Sequence, residues 1–233
     1  MVDLSAEMAE LWDSLGAAPR GRARAIEFIA ARDGEGTSTV AREFAFAAAT
    51  RHGRRVWLID LDLMGQSQAA LIGAEAARYG ELGQPASATP DGSMFFTVRP
   101  PLRRPDGRPW PDARYISAHS VGGAQLWVTR FRSEAVRGRQ AVHVTQGGEY
   151  WRALKRHADL VVIDAPSASR SQAGLTVAPG VDQVVMVVAA DEGDPGAPAQ
   201  LRDVLLDAGA HLAGLFVNRV QVQAPQFLRG AIP

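Results

Sequence analysis

Short apolar runs alternate along this chain with segments of helical spacing. Residues 25–29, Ala-Ile-Glu-Phe-Ile, predict a buried strand, and residues 40–49 predict a helix. Residues 54–60 predict a second strand ending in Asp60, which residues 61–68 leave as a loop. Residues 159–164 predict a buried strand ending in Asp164, and the apolar run 181–190 predicts another. Residues 198–208 predict an amphipathic helix and residues 212–218 a last strand. Strands apolar on both faces and alternating with helices predict an α/β fold: a doubly wound, mainly parallel sheet covered on both sides. Ahead of this pattern, residues 5–15 suit a helix with Met8, Leu11, Trp12 and Leu15 on one face and Ser5 as its cap. Residues 16–24 read as a polar linker, and residues 149–157 are helical in character.

The regular pattern breaks between about residues 80 and 111, where Gly and Pro recur. Residues 94–98 and 126–129 are short strand candidates, expected to form a hairpin-like insertion with residues 141–144 as a third element. The expected organisation is a helix and linker over 1–24, one α/β domain over 25–220 with an insertion at about 80–147, and a tail over 221–233.

Composition narrows the function classes. At 233 residues the chain can bury the core of one α/β domain. Lys plus Arg and Asp plus Glu both number 25, so net charge is zero and no nucleic-acid partner is expected. Cysteine is absent, which excludes disulfides, thiolate zinc sites and cysteine nucleophiles. No apolar run reaches ~18 residues, and the acidic start lacks the basic region of a secretion signal. A cytoplasmic protein is expected, with any membrane association made through a partner.

Between the first predicted strand and helix lies Ala31-Arg32-Asp33-Gly34-Glu35-Gly36-Thr37-Ser38-Thr39. Strand, glycine loop and helix in that order are the setting of a phosphate-binding loop. Successive backbone N–H groups curl around phosphate oxygens at a helix N-terminus, and Gly34 and Gly36 permit the close approach. The usual motif ends Gly-Lys-Ser/Thr. Here Thr37 follows Gly36, and the only lysine in the chain is Lys155.

Five segments, in order, resemble the ParA/MinD group of deviant P-loop ATPases, and among them the bacterial tyrosine kinase (BY-kinase) branch of polysaccharide synthesis and export. They are residues 33–39, Asp-Gly-Glu-Gly-Thr-Ser-Thr; residues 56–64, Val-Trp-Leu-Ile-Asp-Leu-Asp-Leu-Met; and residues 162–167, Val-Ile-Asp-Ala-Pro-Ser. Residues 182–188, Asp-Gln-Val-Val-Met-Val-Val, and 214–218, Gly-Leu-Phe-Val-Asn, complete the set. The likeness covers roughly residues 25–70 and 155–220.

The resemblance implies a site for ATP or ADP with Mg²⁺. Gly34, Glu35, Gly36, Thr37, Ser38 and Thr39 would form the loop, and Ser38 would hold the metal. Asp60 would be the Walker A′ carboxylate and Asp164 the Walker B carboxylate, both carried over as catalytic and metal-binding groups. Asp62 would be the second family carboxylate beside the nucleotide. Arg32 stands where ParA-like members carry a signature lysine; it reads either as a phosphate contact, in cis or across a dimer, or as a solvated loop arginine.

Departures from the family pattern imply a degenerate member. Thr37 carries no charge, and losing that cation costs roughly 2–4 kcal/mol of transition-state stabilisation. The tail, residues 221–233, has no tyrosine, and the only tyrosines are Tyr79, Tyr115 and Tyr150. The N-terminal helix lacks the arginines that the family uses in ring assembly, and Leu63-Met64 replaces Leu-Arg. The implied role is a regulatory or scaffold subunit in exopolysaccharide synthesis and export, of capsule or holdfast type. Its partner would be a membrane polysaccharide co-polymerase or export protein, placing it at the inner membrane's periphery, as a homodimer or higher oligomer. Two alternatives stand beside this: an active ParA/MinD-type Mg·ATP hydrolase using Arg32, and an interaction module with an empty nucleotide site.

Other residues read more blandly. The five histidines are scattered without ligand spacing, and no nucleophile elbow surrounds Ser167, Ser169 or Ser171. Trp57, Phe95, Phe96 and Trp127 read as core. Arg99, Arg103, Arg104, Arg108 and Arg114 read as a solvated flexible loop or as a docking surface for acidic segments or an anionic membrane.

Overall fold

Nearly every side chain of β1 (Arg24–Ala30) is buried, because the strand lies inside the sheet with helices on both faces. The structure, a computed structural model, describes residues 4–16, 23–65, 67–191 and 195–220. The elements that flank the candidate loop follow the expected alternation. α1 (Ser5–Ser14) precedes β1, and α2 (Thr37–Thr50) and β2 (Val56–Asp60) follow it. Then come α3 (Gln68–Ala74), α4 (Ala76–Tyr79), β3 (Ala86–Ser87), β4 (Phe96–Arg99), β5 (Ile116–Val121), β6 (Leu126–Phe131) and β7 (Ala141–Val144). The chain returns through α5 (Gly148–Lys155), β8 (Leu160–Asp164), α6 (Ala173–Val177), β9 (Gln183–Ala189), α7 (Gly196–Asp207) and β10 (Leu212–Asn218).

Eight strands form one sheet in the order β10-β9-β1-β8-β2-β6-β5-β3. Pairing is parallel from β10 through to β6, and β5 and β3 extend that side antiparallel. Alternation along β1 sorts its side chains between two cores. Ile26, Phe28 and Ala30 pack with Val40, Ala41 and Phe44 of α2 and with Met8 and Trp12 of α1. Ala25 and Ile29 face the other core, with Trp151 and Leu154 of α5, Val177 of α6, and Leu201 and Leu205 of α7.

Several expectations change. Ser5 opens α1 as its first residue rather than capping it; the cap position falls on Leu4, without a side-chain bond. The segment 126–129 does not join an insertion. It lies in β6, which pairs with β2 through Val56↔Leu126 and Leu58↔Val128, because Leu126 and Val128 are fully buried there. Trp127 stacks on Trp57 with centroids 5.9 Å apart, and the pair is partly buried rather than core. β4 instead pairs with β7 in a separate two-stranded sheet. β5 escaped the pattern because Ser117, His119 and Ser120 interrupt its apolar residues. Ser117 is nevertheless buried, its hydroxyl 3.1 Å from His119 Nε2. The arginine-rich stretch is a folded arm: Arg104 donates its N–H to the Arg108 carbonyl at 2.8 Å, and Trp110 donates to Leu102 at 2.7 Å. The Arg104 and Arg114 guanidinium carbons lie 4.7 and 4.8 Å from the Trp110 ring centroid. Among the described residues no helix is long and apolar enough to cross a membrane. The tail 221–233 lies outside the described residues.

Candidate phosphate-binding site

Strand register brings the acids together. Asp60 ends β2, Asp164 ends β8, and the two are direct partners across the parallel pair. Asp164 is also the partner of Phe28 in β1, so both acids sit beside the exit from β1 into the loop. Ligands of doubly wound sheets bind at this edge.

The loop turns at Gly34 and Gly36, whose φ angles of 85° and 93° belong to glycine. A Cβ at Gly36 would also run into the carboxamide of Asn218, at the end of β10. That carboxamide donates to the Glu35 carbonyl at 2.9 Å. Glu35 is itself buried: its carboxylate accepts the Arg32 N–H at 2.8 Å and the Ala189 N–H at 3.4 Å. Glu35 therefore staples the loop to β9. Arg219 donates to the Gly34 carbonyl from the other side. α2 begins directly after Gly36, with Thr39 and Val40 donating to the Gly36 carbonyl at 3.0 Å each. The earlier amides of a helix have no acceptor within it and face outward. Thr37 is buried at this turn and brings no cation.

Asp60 is held by backbone. Its Oδ1 accepts the Asp62 N–H and its Oδ2 the Gln68 N–H, both at 2.8 Å. The Asp60 N–H donates to Thr129 Oγ1 of β6 at 3.1 Å. Asp164 Oδ2 accepts from Gln68 Nε2 at 2.5 Å, and the same nitrogen reaches the Ser38 carbonyl at 2.9 Å. Asp164 Oδ1 is buried without a partner. Burial and the neighbouring charge of Asp164 push the Asp60 carboxyl well above the ordinary aspartate range. Burial likewise lifts Asp164, to about 6, against the pull of hydrogen bonds from Gln68 and Ser38 and the charge of Arg42.

Two buried like charges and an orphaned carboxylate oxygen are an arrangement that a divalent cation would offset. The donors are hard oxygens, from Asp60, Asp164 and the Ser38 hydroxyl, and they suit Mg²⁺. A buried network backs this site. Arg42 Nη1 donates to Gln68 Oε1 at 3.1 Å and its Nε to the Tyr79 hydroxyl at 3.1 Å. Tyr79 in turn donates to Glu43 at 2.5 Å, and Glu43 pairs with Arg78 at 2.7 Å.

The structure thus brings together Gly34, Glu35, Gly36, Thr37, Ser38, Asp60 and Asp164. Asp62 lies at the rim, 2.7 Å from Arg170. Arg32 enters the loop through its backbone bond to Glu35. Gln68, Arg42 and Arg170 were not anticipated: each is a polar residue outside the glycine loop and the strand-end acids, and only the fold places it there.

Fold and loop together give a mainly parallel α/β sheet with a glycine loop between its β1 strand and the following helix. No family model matches the chain, and no curated protein matches it in sequence. Its fold is shared with the chimerical protein CapA2B2, at 16% identity over 94% of this chain and 86% of that one, with a TM-score of 0.61. The kinase domain of Escherichia coli tyrosine kinase ETK is similar at 16% identity over 89% and 72%, with a TM-score of 0.57. The septum site-determining protein MinD of Pyrococcus horikoshii, solved with Mg-ADP, is similar at 15% identity over 90% and 76%, with a TM-score of 0.57.

Proposed function

We propose that this protein is a catalytically degenerate, BY-kinase-like nucleotide-binding subunit that regulates or scaffolds exopolysaccharide synthesis and export. One observation carries the reading. Thr37 stands where the phosphate-binding lysine belongs, beside an otherwise complete set of glycines, hydroxyl and acids. The backbone around Gly34 and Gly36 would cradle the phosphates of ATP or ADP. Ser38, Asp60 and Asp164 would hold Mg²⁺, which would neutralise phosphate charge. Without the lysine, developing charge on a transferred phosphoryl group loses its fixed partner. Binding would then serve self-association or partner choice rather than tyrosine phosphorylation. The partner class is a membrane polysaccharide co-polymerase or export protein, supported by the order of the five motif segments and by the fold shared with the ETK kinase domain.

Thermal unfolding with ATP, ADP and Mg²⁺ is the direct test. A ligand at 100 times its Kd adds about 2.7 kcal/mol of stability. A shift with nucleotide and no label transfer from radiolabelled ATP is the expected result. Strong autophosphorylation would refute degeneracy. No shift with either nucleotide would leave an interaction module with an empty site.

A further inference from the structure

The loop after β8 is zipped to the chain entering the glycine loop. Ala168 and Ser169 donate their N–H groups to the carbonyls of Ala30 and Ala31, at 2.9 and 3.1 Å. The Ser167 hydroxyl donates to Asp33 Oδ1 at 2.6 Å. Arg170 and Ser171 both turn back onto the Ser167 carbonyl at 3.0 Å. This brings Arg170 to the mouth of the loop, its side chain about half exposed. Its Nε lies 3.2 Å from Asp33 Oδ1, and its Nη1 lies 2.7 Å from Asp62 Oδ2. Asp62 is close enough for its charge to be felt at both Asp60 and Asp164.

Two other arginines near the loop hold fixed structural partners. Arg42 is buried and bonded to Gln68 and Tyr79. Arg219 holds the Gly34 carbonyl and Asp191. Arg170, about half exposed, bridges two acids, and exposed ion pairs of this kind are weak. A phosphate offers a guanidinium a stronger, two-pronged partner.

Resting on the phosphate-site reading above, we propose that Arg170 supplies the positive charge that Thr37 lacks, releasing Asp33 and Asp62 to bind the terminal phosphates of a nucleoside triphosphate. The cation then comes from the loop after β8 rather than from the head of α2. Asp33 acts as a competitor that holds the guanidinium until the phosphate arrives.

Calorimetric titration of the full chain with Mg·ATP and Mg·ADP tests this. Arg170→Gln is expected to weaken ATP roughly tenfold or more and ADP less, with unfolding of the free protein little changed. Arg170→Lys should recover part of the loss. Asp33→Asn should tighten ATP in the native background and lose that gain when combined with Arg170→Gln. Equal ATP affinity in Arg170→Gln, or a gain from Asp33→Asn that survives the double substitution, overturns the assignment of Arg170. A native protein that binds neither nucleotide overturns the phosphate-site reading itself.

Discussion

Gln68 Nε2 lies 2.5 Å from Asp164 Oδ2, so a neutral carboxamide stands at the acid that ends β8, tying it to the Ser38 carbonyl and, through Oε1, to Arg42. Gln68→Ala strips a buried carboxylate oxygen and a buried guanidinium of one partner each. It should cost about 1–3 kcal/mol of stability by urea denaturation. Gln68→Glu places a third carboxylate there and should be worse at neutral pH than at pH 5. The reverse order would show that this contact does not hold the acid.

The acid pair sets a pH dependence with a definite sign. Asp164 binds its proton more tightly folded than unfolded, so its contribution is fully present below about pH 4. It is lost as pH rises through about 6. Asp164→Asn should therefore be more stable than the native chain at pH 7.5, by about 2–3 kcal/mol, and close to it at pH 4. Urea midpoints across that range are the measurement.

Restoring the lysine is the complementary experiment. Thr37→Lys puts a cation at the first residue of α2. We expect ATP to bind at least tenfold more tightly, about 1.4 kcal/mol. Hydrolysis, measured as phosphate release, should rise if only the cation is missing. Unchanged ATP binding would place the defect elsewhere in the loop.

Glu27 sits in the middle of β1 with both carboxylate oxygens buried and unpartnered, against Gly174 of α6. Burial raises its carboxyl well above the ordinary range. Ionisation is thus favoured in the unfolded chain, and stability falls as pH rises above the unfolded value. Glu27→Met should stabilise by about 1–3 kcal/mol at neutral pH, and the gain should grow from pH 5 to pH 8. A loss of stability at every pH would assign the carboxyl a partner.

Sequence patterning found the parallel core because those strands are apolar on both faces. β1, β2, β8 and β9 could be read as continuous runs, and the loop could be read from its glycines. The antiparallel side was harder. β5 alternates polar and apolar residues, and β6 belongs to the sheet only because Leu126 and Val128 pack beside Val56 and Leu58. In the site, the acids at strand ends were visible, since register follows from the strands. Gln68, Arg42 and Arg170 were invisible because nothing local marks them. Their roles arise from α2, α3 and the loop after β8 converging on one edge.

β1 pairs with β8 over Arg24–Phe28 and with β9 over Ile26–Ala30, so Ile26–Phe28 are paired on both flanks. The glycine loop therefore hangs from a strand whose amides open only when the whole sheet comes apart. Hydrogen exchange should be slowest at Ile26–Phe28 and faster at exposed turn residues such as Met64. An anion held at the glycine loop would rest on a floor as rigid as the sheet itself, so any adjustment on binding would fall to side chains at the rim rather than to the backbone beneath.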